Sequence, residues 1–359
     1  MKCKTLFPVL LMLSGILSMP VSAQENDVFY EDFSGAYLDS DKWLIAYKNW
    51  GGQVDGTDYN GGVIPENVRL EDGKLILTGY GNQYTGDVKG INRDKSERET
   101  GQRVGAAIAT KDYFASGSYE ISAKISPELG VCSAMWTFEY EEDYSNDDLK
   151  ITNHEIDIEF PGRDENNDYS LSHALCTTWI GENDGEYLSN SVDIGQNMAD
   201  GAFHKYRFDW HTGDEQQEKR VDFYFDDVLV YTSHEFVPTN AGRLWLGLWF
   251  PRYWAGTPDF DTTTFEIDYL RITPFHEAGD TPQNESYPDS GWAVPAERIP
   301  GDVNHDSVFN TVDIVNLQRF LLNDGTRLPD WKAADLSGDG MLNIYDLILM
   351  KRRILHERD

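Results

Sequence analysis

The sequence predicts an antiparallel β-sandwich followed by a small α-helical module, and three observations predict it. From about Val28 to Phe275, short runs alternate apolar and polar residues between turns rich in Gly, Asn and Asp, the period of strands half-buried in two facing sheets. Residues 276–299 then change character, with Pro282, Pro288 and Pro295 among Gly, Ser, Asp and Glu, and read as a semi-extended linker. Residues 300–359 hold an internal repeat in which each copy ends in an apolar helical stretch.

Residues 1–23 precede this plan. Lys2 and Lys4 form a basic start, Leu6 to Met19 an apolar stretch, and Val21-Ser22-Ala23 a small-residue cleavage site, so the chain is expected to be exported with Cys3 removed. No other apolar run is long enough to span a membrane, and a soluble globular protein is expected. The chain carries 62 Asp plus Glu against 30 Lys plus Arg, for a net charge of −32. Like charge repels nucleic acid and anionic membranes, so neither is expected as a partner. The signal contributes +2, the linker −4 and the tail −3, which leaves −27 on residues 24–275.

Within the sandwich, GSYEISAKI, HEIDIEF, KYRFDW, VDFYFDDVLVY, LWLGLWF and TTFEIDYLRI are the clearest strands. Phe225-Asp226-Asp227-Val228 reads as a tight hairpin turn. In His154-Glu155-Ile156-Asp157-Ile158-Glu159-Phe160, alternation puts Glu155, Asp157 and Glu159 on one face and His154, Ile156, Ile158 and Phe160 on the other. The apolar set belongs to the core, which leaves three carboxylates in a row on the open face. Charges so close raise at least one pKa, a cost that points to acid–base use. The α-carbons of Glu155 and Glu159 lie ~13 Å apart at ~3.3 Å per residue. Side chains leaning together over a curved sheet approach the ~5–5.5 Å of retaining glycosidases. A solvated edge strand is the competing reading. Cys132 and Cys176 fall on the strands flanking this one, ~9.5 Å apart and beyond disulfide reach, so both are expected as free thiols.

The EIDIE stretch resembles the ExDxE signature of glycoside hydrolase family 16, a jelly-roll family of retaining endo-acting enzymes. FYEDF, NGGVIPENVRLEDGKLIL, FASGSYEISAKI, FHKYRFDW, VDFYFDDVLVY and LWLGLWF follow in the order of the family's lichenases. The resemblance implies Glu155 as nucleophile, Asp157 as assisting carboxylate and Glu159 as general acid/base. It further implies Asn60 and Glu120 as sugar contacts and Trp136 and Trp249 on cleft-lining strands. Asp268 is implied as a calcium ligand, with Asp32 and Gly73 nearby as carbonyl donors. No extra residue separates Asp157 from Glu159, which favours a β-glucan or xyloglucan over agar or carrageenan. Asn153 and His154 depart from the Trp-Asp that lichenases carry there, and residues 141–153 are longer and more acidic than in that branch. His154, on the core side, is read as structural.

The tail repeats with a 33-residue offset, as GDVNHDSVFNTVDIVNLQRFLL and ADLSGDGMLNIYDLILMKRRIL. Oxygen-bearing residues stand at positions 1, 3, 5, 9 and 12 of each loop: Asp302, Asn304, Asp306, Asn310 and Asp313, then Asp335, Ser337, Asp339, Asn343 and Asp346. That spacing supplies the six to eight oxygens calcium takes in EF-hand loops, with carbonyls from Val308 and Met341. The glycine of position 6 is present as Gly340 but is Ser307 in the first loop. This tail resembles a dockerin, which implies two calcium ions and a cohesin domain of a scaffold protein as partner. Thr311, Val312, Arg319, Ile344, Tyr345 and Arg352 are the implied contacts.

Together these resemblances imply a signal peptide over 1–23, a catalytic domain over 24–275, a linker over 276–299 and a dockerin over 300–359. They imply a secreted, cellulosome-associated endo-glycosidase with a monomeric catalytic domain that acts on neutral β-glucan, mixed-linkage β-1,3-1,4-glucan first. A xyloglucan-active or β-1,3-glucan-active hydrolase or transglycosylase stays open, as does a carbohydrate-binding sandwich without turnover. No cofactor is expected for catalysis.

Overall fold

The computed structural model describes residues 27–356 apart from 36, 49–52, 55–56, 59, 82–88, 92–96, 100–102, 144–149, 182–185, 252–253, 285–290, 294–297, 305, 327 and 329. The expected signal and the centre of the 141–153 segment lie outside them.

Among the described residues, sixteen strands form the main sheet system of the large module, and two short hairpins, Gln53–Val54 with Thr57–Asp58 and Lys89–Ile91 with Glu97–Glu99, stand apart from it. The first eight are β1 (Phe29–Glu31), β2 (Trp43–Ile45), β3 (Asn60–Val63), β4 (Val68–Glu71), β5 (Lys74–Tyr80), β6 (Arg103–Thr110), β7 (Gly117–Lys124) and β8 (Cys132–Asp143). Next come β9 (Lys150–Phe160), β10 (His173–Trp179), β11 (Tyr187–Asp193) and β12 (His204–His211). The last four are β13 (Arg220–Phe225), β14 (Val228–Ser233), β15 (Arg243–Trp249) and β16 (Thr262–Pro274). One layer runs β11-β10-β9-β8-β15-β6, with β2 beside β6. The other runs β5-β16-β7-β12-β13-β14, with β4 on β5 and β1 on β16. The sequence-predicted sandwich is therefore present, and the 225–228 turn closes β13 onto β14 with Asp226 and Asp227 at φ 48° and 65°.

Alternation explains the core. On β7, Tyr119 and Ile121 point inward; on β12, Tyr206, Phe208 and Trp210 do; on β13, Phe223 and Phe225 do; and on β15, Leu244, Leu246 and Leu248 do. Ile156, Ile158 and Phe160 of β9 join them from the other layer. Each large side chain contributes about 1.5–3 kcal/mol by leaving water, and together they fix which face of β9 looks out.

The segment expected as a linker is tied down over much of its described length. Glu277 accepts hydrogen bonds from His211 (2.6 Å) and Gly213 N–H (2.8 Å), and Asp280 accepts from Ser116 and Thr212. Asn284 N–H donates to Glu139 (2.8 Å). Farther on, Tyr47 N–H donates to Gly291 O (2.7 Å) and Ala293 N–H to Ile45 O (2.8 Å), so residues 291–293 lie along β2. Composition misleads here because Glu277 and Asp280 serve as caps for sandwich loops rather than as solvated charge.

The C-terminal repeat folds as α1 (Thr311–Leu321), α2 (Trp331–Ala334) and α3 (Ile344–His356) over Val303, Ile314, Leu317, Leu328, Ala334, Leu347 and Met350. Asn310 caps α1, and Asp313 closes a reciprocal capping box with it. Asn343 and Asp346 repeat this at α3: Tyr345 N–H donates to Asn343, and Asn343 N–H to Asp346. Ser307 and Gly340, at the same loop position, both have positive φ, 67° and 75°.

Candidate active site

Strand β9 carries the site, and its neighbours set the floor. Pairing is regular from Ser133–Phe160 to Asp143–Lys150 on β8 and from Glu155–Trp179 to Glu159–Leu175 on β10. No bulge interrupts Glu155-Ile156-Asp157-Ile158-Glu159. Glu155 thus stands between Phe138 and Trp179, Asp157 between Trp136 and Thr177, and Glu159 between Ala134 and Leu175. All three carboxylates share the face turned away from the core.

Each has its own hydrogen-bond partner. Asn153 donates its amide to Glu155 Oε2 at 2.7 Å. Trp179 Nε1 donates to Asp157 Oδ2 at 3.0 Å. The Cys132 thiol lies 3.8 Å from Glu159 Oε1, placed to donate. Burial pushes Asp157 well above the usual carboxylate range; the charges of Glu155 and Glu159 add to this, and the Trp179 N–H opposes it. Glu159 is pushed up to about 8, by burial first and by the Glu155 charge second. With its carboxyl near 8, Glu159 holds its proton at neutral pH. Asp157 is hydrogen-bonded to Glu155. One strand face thus presents a proton-bearing acid, Glu159, and a second carboxyl, Glu155, on either side of Asp157.

The floor beyond β9 is aromatic. Trp136 is opposite Asp157 on one side and Trp245 on the other, and the two indoles stack with centroids 5.6 Å apart at 16°. The six-membered ring of Trp136 lies over Gly247, where a Cβ would meet it at 2.8 Å, so only glycine admits the indole there. Trp249 is on the same face, edge-on to the exposed Trp254 at 5.8 Å. Both sequence-predicted tryptophans therefore line the carboxylate face, Trp136 buried and Trp249 half-buried.

Other expectations fare differently. Glu120 is on β7, in the opposite layer, where it faces outward between Arg207 and Arg271 and accepts a hydrogen bond from Tyr269 at 2.7 Å. It does not meet the carboxylates and is not a cleft residue. Asn60 pairs through its backbone with Arg103 at the start of β6; its side chain lies outside the described residues. Asp268 stands exposed at a β-bulge on β16, between the partners of Ser122 and Ala123, and Gly73 is in the turn joining β4 to β5. No group of three or more His, Cys, Asp or Glu side chains converges among the described residues, so a calcium role for Asp268 rests on resemblance alone. His154 is held at about 4 by burial and stays neutral on the core side, in keeping with a structural part. Cys132 and Cys176 are both free and buried, Cys132 beside Glu159 and Cys176 in the core. Asn153, Trp179, Trp245 and Cys132 complete the site; Trp179, Trp245 and Cys132 had no sequence signal as site residues, because cross-strand neighbours emerge only from the pairing.

In the tail the donor set fits a hard cation. Asp302, Asp313 and Asp346 are almost fully buried, 3 %, 0 % and 0 % exposed, which is costly for carboxylates without a positive partner. Asp302 draws in Asp306 and Ser307 N–H; Asp335 draws in Gly338, Asp339 and Gly340 N–H. The remaining donors are Asn304, Asn310, Ser337 and Asn343 oxygens, the oxygen-only chemistry of calcium. Val312, Ile344 and Tyr345 are exposed by 51 %, 64 % and 55 %, and Thr311, Arg319 and Arg352 are also at the surface.

Comparison with known proteins adds to this geometry. The model of Glycosyl hydrolases family 16 matches residues 75–271, and that of the Dockerin type I domain matches residues 300–355. A protein named Beta-glucanase from Acetivibrio thermocellus is 28 % identical over 336 residues, covering 89 % of this chain and 86 % of the relative. A Beta-glucanase from Brevibacillus brevis is 26 % identical over 270 residues, covering 72 % of this chain and 88 % of that protein. The solved catalytic domain LamAcat from Zobellia galactanivorans shares the fold, with a TM-score of 0.50 and 19 % identity over 71 % of this chain and 98 % of that one.

Proposed function

The chain belongs to glycosyl hydrolases family 16 and ends in a type I dockerin domain, and from that premise we propose a retaining endo-acting hydrolysis of β-glucan, mixed-linkage β-1,3-1,4-glucan above others. The observation that carries it is Glu159, its carboxyl raised to about 8, in unbroken register with Glu155 on one open strand face. Glu159 gives its proton to the glycosidic oxygen as the bond to the anomeric carbon breaks, and Glu155 attacks that carbon to form a glycosyl ester. Glu159, now ionised, takes a proton from water; the water oxygen displaces Glu155 and the sugar leaves with its configuration retained. Asn153 and Asp157 hold the Glu155 carboxylate in line for attack. Trp179 in turn fixes Asp157. A non-catalytic sandwich has no use for a raised acid set in a row of carboxyls.

Two things support the glucan linkage: the uninterrupted register through Glu155–Glu159 and the β-glucanases among the chain's relatives. Oligosaccharide profiling on mixed-linkage glucan, xyloglucan and laminarin is the test; release from xyloglucan or laminarin alone refutes the assignment. At the other end, dockerin domains bind calcium, which here would neutralise the buried Asp313 and Asp346. The proposed partner is a cohesin that meets Thr311, Val312, Arg319, Ile344, Tyr345 and Arg352, placing the enzyme outside the cell on a scaffold. Cohesin capture that survives chelation counts against this.

A further inference from the structure

The 291–293 segment reaches the substrate face from beyond the family domain, whose matched region ends at residue 271. Its backbone pairs with β2, and its one large side chain, Trp292, turns onto the same face as the carboxylates. The register shows this: Asp157 is opposite Trp136, Trp136 opposite Trp245, and Trp292 stacks on Trp245 with centroids 5.0 Å apart at 31°. The Lys48 ammonium, nearly buried, lies 4.8 Å from the Trp245 ring and 5.4 Å from the Trp292 ring and pins the pair. Trp245 is sealed at 2 % exposure, whereas Trp292 stays half-open. Two strand spacings separate Asp157 from Trp245, which puts Trp292 ~10–15 Å from the reacting centre, roughly two to three hexose units away.

We propose that Trp292 is a sugar-binding platform at the far end of the cleft, supplied by the segment that joins the two modules. This rests on the glucan-hydrolase reading above and deepens it: the preferred substrate is a chain long enough to span from Glu155 to Trp292. An indole presents a flat apolar face at little entropic cost, and the C–H face of a pyranose is its complement. The anchoring on β2 and the Lys48 contact pre-organise the ring, so binding does not have to order it.

The test uses the full chain with calcium, as wild type, Trp292→Ala and Trp292→Phe, on polymeric mixed-linkage glucan and on an aryl glycoside of a single disaccharide. For Trp292→Ala the expected result is KM on the polymer raised about three- to tenfold, kcat within about twofold, and no change on the short substrate. Trp292→Phe falls between. Equal losses on both substrates would mean a structural role and overturn the proposal. So would unchanged KM, or a gain on the polymer, which would make the segment an obstruction. A wild-type chain that cleaves the aryl disaccharide but no glucan polymer refutes the platform alone; one inert on every glucan and glycoside sinks the enzymatic reading with it.

Discussion

Replacing Glu159 with Gln separates the two roles assigned to the row and can be sized from its surroundings. With its carboxyl pushed up to about 8, about nine in ten molecules hold the Glu159 proton at pH 7 and about one in ten at pH 9. Loss of activity with rising pH should therefore follow a limb near pH 8. Glu159→Gln removes both the proton donor and the base that activates water, so kcat on glucan should fall about 10²- to 10⁴-fold. An aryl glycoside with a good leaving group needs no acid for the first step; the variant should form the glycosyl ester and stall. Azide, an anion that needs no base, should then release it as the β-azide. The corresponding Glu155 variant should give the α-azide instead, because direct attack inverts. Stability should move the opposite way. A carboxyl raised in the folded state makes wild-type stability fullest below about 4.5 and lets it fall as pH rises toward about 8. Glu159→Gln should match wild type near pH 4.5 and exceed its unfolding free energy increasingly up to pH 8, by an amount on the order of a few kcal/mol, seen as a rising gap in thermal midpoint. Progress curves, product NMR and calorimetry read these three outcomes. An α-azide from Glu159→Gln, or undiminished kcat on glucan, would refute the assignment of roles.

Three further outcomes are expected. Ser307→Gly should stabilise the dockerin by roughly 0.5–1 kcal/mol and so raise its calorimetric midpoint, since it relieves a side chain at φ 67°, and Gly340→Ser should lower it; equal midpoints would show that the loop tolerates either. Chelation should melt α1 and α3, seen as lost helical dichroism, and leave glucan hydrolysis intact, because the buried Asp313 and Asp346 belong to the tail alone. Glu120→Gln should leave KM within about twofold, at a stability cost of no more than ~1 kcal/mol from the Tyr269 bond. A large KM rise would return Glu120 to the cleft.

Strand alternation made the sandwich, the 225–228 hairpin and the face of Glu155, Asp157 and Glu159 legible, because period two is a local property of the chain. Glu120 was misplaced for a related reason. GSYEISAKI has the same inward Tyr and Ile whichever layer it joins, and only its long-range pairing with β12 and β16 assigns it to the outer sheet. Asn153 was visible only as a departure from a pattern. Its hydrogen bond to Glu155 follows from sharing a face two residues away, which the same alternation already implied. Trp292 was hidden by composition: its neighbours are Pro, Gly, Ser and acids, and nothing local records that the end of β2 at Ala46 offers an edge 246 residues upstream.

The charge of the chain now bears on substrate choice in a more definite way. A module of −27 that exposed its row of three carboxylates to the cleft would repel any polyanion and bind its own substrate against a strong field. Instead the carboxyls of Asp157 and Glu159 are both raised, and the Lys48 ammonium lies between Trp245 and Trp292 toward the other end of the floor. The described floor therefore carries less negative charge than a row of three carboxylates would give it. On the proposed reading, sulfated or uronic chains would be repelled by the shell and uncharged glucan selected by stacking. Neutralising Lys48 would remove its positive charge from that floor without altering the shell. Affinity for neutral glucan should then depend on how well Trp292 stays in place, not on salt. If KM for glucan in Lys48→Met changed steeply with ionic strength, the cleft field and not the indole platform would be controlling binding.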